Sequence, residues 1–115
     1  MNKNELKEFF LLWIKQSSNA LIPQDPFVEG ALNAAIDVII GSTYNGMPFI
    51  DYYSPAELYH RLLRLWRSHC VLLLPNTLPK NLRLTIFGAQ VPTDNPNYRN
   101  ELQLLFSQLE NECLS

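Results

Sequence analysis

Residues 54–74 read SPAELYHRLLRLWRSHCVLLL, and this stretch decides the fold. It opens with a capping box, in which the Ser54 hydroxyl accepts from the N–H three residues later and Glu57 reaches back to the first N–H. Leucines and Trp66 recur at spacings of three and four residues, which predicts an amphipathic helix. Pro75 follows, so we predict that the helix ends no later than the residue before it.

Two further pairs combine a short oxygen-bearing side chain with a proline, and they are Asp25-Pro26 and Asn95-Pro96. The oxygen can cap a helix, and proline tolerates the first turn because its missing N–H would have no partner there. Each pair therefore predicts the beginning of a helix. Apolar residues near the N-terminus have the same helical spacing and predict one more helix, from Asn2 or Asn4 to about Ser17.

These four helices predict an all-α fold, a compact bundle within a single helical domain that spans residues 1–115. Residues 78–91 fit two descriptions, because their apolar spacing suits a short fifth helix while residues 82–86 alternate as in a strand. The helix is favoured, since a strand needs a partner and residues 70–74 could supply one only by shortening the helix before them. The competing architecture is α+β, with a small hairpin near residues 71–87.

The composition is that of a globular domain without an overall charge that would favour nucleic acid. Hydrophobic residues make up 47% of the chain, the net charge is −2, and charged residues make up 17%, against roughly 25% in average domains. The charge is unevenly distributed, because residues 54–83 carry five basic groups and one acid while the segments before and after are acidic. The simplest interpretation is that the basic middle complements the acidic ends within one fold.

No group of residues matches a catalytic or metal-binding motif, so we predict a protein that is not an enzyme and uses no metal or cofactor. His60 and His69 are nine residues apart on one helix, about two and a half turns, and cannot bind one ion together. Cys70 lies in an apolar run and is expected to be a buried hydrophobe. The sequence shows no signal-peptide pattern and no membrane-length apolar run, and its cysteine usage suits a reducing compartment, so we expect a cytoplasmic location without membrane insertion.

Two surface features are candidates for binding a partner. The first is a stripe of arginines at three-residue spacing on the helix that follows Ser54, made of Arg61, Arg64 and Arg67. The second is the aromatic loop, which we define as residues 42–53. Its candidate contact residues are Tyr44, Met47, Phe49 and Tyr52. Large aromatic and methionine side chains are enriched in protein interfaces, and arginines can set the register of an acidic partner.

The leading hypothesis is a non-enzymatic interaction, adaptor or regulatory module that binds an acidic or apolar protein surface through these two features. One alternative is nucleic-acid binding through the same arginines, which the acidic balance of the chain disfavours. Another is a small-ligand or thiol-based catalytic site near Trp66, His69 and Cys70. The wide apolar face of the first helix also predicts a homo-oligomer, such as a homodimer.

Overall fold

A computed structural model of the chain describes residues 1–20, 26–71, 83–86, 89–92 and 96–114. The described residues are mostly helical, with small two-stranded antiparallel sheets. In chain order the elements are α1 (Lys3–Ser17), α2 (Pro26–Gly41), β1 (Thr43–Tyr44), β2 (Met47–Pro48), α3 (Phe49–Tyr52), α4 (Pro55–Val71), β3 (Arg83–Ile86), β4 (Ala89–Pro92) and α5 (Pro96–Cys113).

The long helices begin where the sequence predicts. Each of α2, α4 and α5 has its proline as the first helical residue. Asn2 and Glu5 form a capping box at the start of α1, with reciprocal hydrogen bonds of 2.9 and 3.3 Å. The Ser54 hydroxyl accepts from the Glu57 N–H at 3.4 Å. The predicted caps of α2 and α5 lie outside the described residues.

A shared apolar core joins α1, α2, α4 and α5, and the indole of Trp66 on α4 lies within it. The Trp66 Nε1–H donates to the carbonyl oxygen of Val28 on α2 at 3.0 Å. The same ring meets Phe10 on α1 and Phe106 on α5 edge-on, with centroid separations of 5.9 and 5.1 Å. One side chain of α4 therefore contacts all three of the other long helices.

Glu112 ties the end of α5 to the end of α1. Its carboxylate accepts hydrogen bonds from the Ser18 hydroxyl, from the Asn19 N–H at 3.2 Å and from the Gln108 Nε2 at 3.4 Å. These bonds, chiefly the one from Ser18, stabilise the charged form and lower the pKa of the Glu112 carboxyl below its ordinary 4.5. An acid near a helix C-terminus opposes the dipole, yet α5 continues to Cys113, whose side chain is buried.

The short helix favoured for residues 78–91 is wrong for the described part of that segment. There β3 and β4 pair antiparallel, in a register that runs from Arg83 opposite Pro92 to Ile86 opposite Ala89. The strand β3 pairs with β4, which follows it in the chain. It therefore takes no residues from α4, which continues to Val71. The α+β alternative predicted a hairpin near residues 71–87, and the observed one lies later.

Trp66→Phe is expected to lower the free energy of unfolding by roughly 2–4 kcal/mol, because it leaves the buried Val28 carbonyl without the indole donor and removes core volume. Trp13→Phe is the matched control. Trp13 is only half-buried, at the edge of the core, so its substitution should cost about 1 kcal/mol or less. Urea unfolding, followed by the fluorescence of the tryptophan that remains, measures both. Equal losses would contradict the central role of Trp66.

Glu112→Gln is expected to lower the stability at neutral pH, because a neutral amide accepts the three hydrogen bonds less strongly than a carboxylate does. The pKa of Glu112 is lower in the folded protein, so its contribution is present above the ordinary 4.5 and is lost as the pH falls through the folded value. The stability difference between wild type and variant should therefore shrink on acidification. Unfolding midpoints measured from neutral to acidic pH test this, with Asp51→Asn, at an exposed acid of the short helix α3, as the control. A constant difference would be the contrary result.

Candidate functional site

The aromatic loop contains a hairpin and one helical turn, and Asn45 and Gly46 form the turn of the hairpin. These two residues have positive φ angles of 52° and 83° and join β1 to β2. An Asn-Gly pair with this backbone is typical of a type I′ turn, whose twist matches that of the strands. The Phe49 N–H then donates to the Ser42 carbonyl oxygen at 3.0 Å, which fixes the base of the hairpin.

Four aromatic rings follow one another across the hairpin and α3. Tyr44 packs against Tyr52, and their centroids are 4.6 Å apart. Tyr53 meets both Tyr52 and Phe49 edge-on, at 4.8 and 5.1 Å. Phe49 and Tyr53 pack against the core, whereas Tyr44 and Tyr52 are 45% and 47% exposed. The series therefore has one anchored end and one end that faces solvent.

Met47 extends the exposed end of this series. It lies opposite Tyr44 in the register of β1 and β2, and it is 48% exposed. Side chains that face each other across two antiparallel strands lie on the same side of the hairpin. Three of the four predicted residues of the aromatic loop, which are Tyr44, Met47 and Tyr52, therefore present one apolar surface. The fourth, Phe49, supports it from below.

The three arginines of the predicted stripe have different surroundings. The guanidinium carbon of Arg61 lies 4.1 Å from the centroid of the Tyr53 ring. Arg67 Nη1 donates to both carboxylate oxygens of Glu110 on α5, at 3.2 and 3.0 Å. Among the residues that the structure describes, Arg64 has no hydrogen bond or ion pair. Three residues advance a helix by about 300°, so each arginine is offset by about 60° from the one before it, and Arg67 lies about 120° around the helix from Arg61.

We call the surface formed by Tyr44, Met47, Tyr52, Tyr53 and Arg61 the aromatic platform. Tyr53 was not among the predicted contact residues, yet it links the rings of the loop to the arginine on α4. Its one sequence signal is its position directly before the Ser54 cap, where an apolar residue often packs back onto its helix. Of the predicted residues, Tyr44, Met47, Tyr52 and Arg61 belong to this surface, Phe49 packs against the core, and Arg67 is directed to α5. No contact among the described residues joins Arg64 to it.

The residues of the thiol-site hypothesis are either buried in the core or in contact with the backbone of their own helix. Trp66 and Cys70 are buried, so solvent does not reach the sulfur in this conformation. The Nδ1 atom of His69 lies 2.8 Å from the Leu65 carbonyl oxygen of its own helix. Burial also raises the pKa of the Cys113 thiol, with a smaller contribution from neighbouring Glu112. Within the described ranges, no three potential metal ligands lie together.

Comparison of the chain with protein-family models, with curated proteins and with solved structures finds no match in any of the three. In the part of the chain that the structure describes, no helix combines the length and apolar character needed to cross a membrane. The aromatic platform is therefore interpreted from its own geometry.

Gly46→Ala is expected to destabilise the protein by about 1 kcal/mol, because alanine is strained at the positive φ of this turn. Gly30→Ala on α2 is the matched control. A Cβ atom meets nothing within 4 Å at either position, so only the backbone conformation distinguishes them. In a helix the same substitution should stabilise by about 0.5–1 kcal/mol. Chemical unfolding measures both, and a shift of the same sign in the two variants would contradict the turn assignment.

Proposed function

We propose that this protein is a non-enzymatic interaction module that binds a protein partner through the aromatic platform. The supporting observation is that Tyr44 and Met47 of the β1–β2 hairpin and Tyr52 of the adjoining α3, each about half exposed, lie side by side. Side chains that are already held in place lose little conformational entropy when a partner covers them. Aromatic and methionine side chains are also those that protein interfaces favour.

The edge of the platform carries positive charge, which supports a partner with acidic groups around an apolar segment. Arg61 lies over the Tyr53 ring, where the guanidinium keeps N–H donors available. Arg64 lies three residues further along α4, and no described residue pairs with it. Charges at the rim of an interface mainly set the rate of association and the choice of partner.

A protein partner is preferred over nucleic acid because the arginines do not act together. Arg67 is neutralised by Glu110, so the predicted stripe is reduced to Arg61 and Arg64. Binding along a phosphate backbone depends on several cations at once. We further propose that the four long helices, which share one core, form a compact bundle that supports the platform, and that the module works in the cytoplasm as an adaptor or regulator.

The proposal is tested by affinity capture with the purified protein as bait, followed by measurement of the dissociation constant for each captured protein. Met47→Asp places a charge in the apolar centre of the platform and should weaken binding roughly 10- to 100-fold. Leu104→Asp introduces the same charge at an exposed leucine of α5 and should leave the binding unchanged. Arg64→Glu should slow association more than it speeds dissociation.

Retention of every captured protein by both Met47→Asp and Arg64→Glu would contradict the proposal. Recovery of RNA or DNA instead, with an affinity that falls steeply as salt increases, would favour the nucleic-acid alternative. Far-ultraviolet circular dichroism of each variant verifies that the helices are intact, so that loss of binding is not confused with loss of fold.

A further inference from the structure

We infer that α1 pairs antiparallel with α1 of a second copy of this chain. The inner face of α1 packs into the core, whereas Phe9 and Leu12 on its outer face are 43% and 50% exposed. They lie three residues apart and are therefore neighbours on one side of the helix. This surface is on a different element from the aromatic platform, so the inference is independent of the proposed function.

The outer face of α1 has the spacing of a short helix-pairing seam. Glu5, Phe9, Leu12 and Gln16 recur at intervals of four, three and four residues, which places them in one line as the a and d positions of a heptad. Glu8 and Lys15 are seven residues apart, so both flank the same side of this line. Neither has an ion pair among the described residues, whereas Lys3 and Lys7 pair with Asp37 and Glu29 of α2.

The charges select a second copy in antiparallel orientation. When two such helices run in opposite directions, the flank that carries Glu8 faces the same flank of the other copy, and Glu8 meets Lys15 of that copy twice about the two-fold axis. The same axis places Phe9 opposite Leu12 of the other copy. The position midway between Phe9 and Leu12 lies only one residue from the position midway between Glu8 and Lys15, so one axis serves both pairs. In a parallel pair Glu8 would instead face the flank of Leu6 and Trp13, which turns toward the protein's own core.

The dimer should be weak and concentration-dependent. Two half-exposed apolar side chains per chain provide far less area than the roughly 800 Å² per partner of stable complexes. Exposed ion pairs also contribute little individually. We therefore expect purified wild type to change from one to two chains per particle across the micromolar range, and to lose association as salt is added.

Sedimentation equilibrium of the purified wild-type protein tests the pairing. Leu12→Asp should weaken the dimer at least about 100-fold, because it buries a charge at the seam on both copies. Leu104→Asp, the same change on α5, should leave the dimer unaffected. A wild type that stays at the mass of one chain at every concentration would overturn the inference, and so would an undiminished dimer of Leu12→Asp.

The orientation is tested by exchanging the charges. Glu8→Lys and Lys15→Glu should each weaken self-association by about tenfold, since each variant opposes like charges twice. A one-to-one mixture of the two variants should recover the wild-type affinity, because every facing pair then has opposite charges. A change in helix content alone cannot produce that recovery. If the protein dimerises but the mixture of the two variants does not recover the wild-type affinity, the helices do not pair antiparallel.

Discussion

The hydrogen bond from the Trp66 indole to the Val28 carbonyl oxygen is the constraint on which the rest of the structure depends. A buried N–H without an acceptor is costly, so this bond fixes the rotation of α4 against α2. With that rotation set, the same ring meets Phe10 and Phe106 edge-on, which is the preferred geometry for aromatic pairs. The opposite side of α4 then faces solvent, and Arg61 lies beside the ring of Tyr53.

The parts of the fold that the sequence predicts are those determined within a few residues. A cap and its N–H are three residues apart, and a proline acts on its own turn, so the beginnings of α1, α2, α4 and α5 follow directly from the chain. The helix prediction for the segment with β3 and β4 is wrong because the five alternating residues 82–86 do not separate a short helix from a strand. Pairing decides between them, and the partner strand is Ala89–Pro92, whose first three residues fall within the segment 78–91 for which we predict a helix.

In the candidate site, too, the sequence predicts the types of residue but not how they are arranged. The sequence indicates which side chains suit a partner, but three-residue spacing does not reveal that Arg67 is directed to Glu110 across the interface of α4 and α5. Such a pair depends on how two helices are placed, which no local pattern contains. Glu112 is a second case, because a carboxylate near a helix C-terminus opposes the helix dipole and is expected from local electrostatics to loosen the end of α5. The hydroxyl of Ser18 and the N–H of Asn19, from the other end of the chain, reverse that expectation.

Placing the two surfaces on different elements has a consequence for binding. The platform belongs to the β1–β2 hairpin, α3 and α4, whereas the outer face of α1 belongs to none of these. The proposed pairing through α1 would therefore not use the residues of the platform, and the resulting two-fold dimer would carry two platforms in a fixed relation. A partner with two matching segments gains from this arrangement, because its second segment binds at the high effective concentration created by the first. If both proposals hold, the two weak interactions, one between copies and one with a partner, would strengthen each other without any new contact.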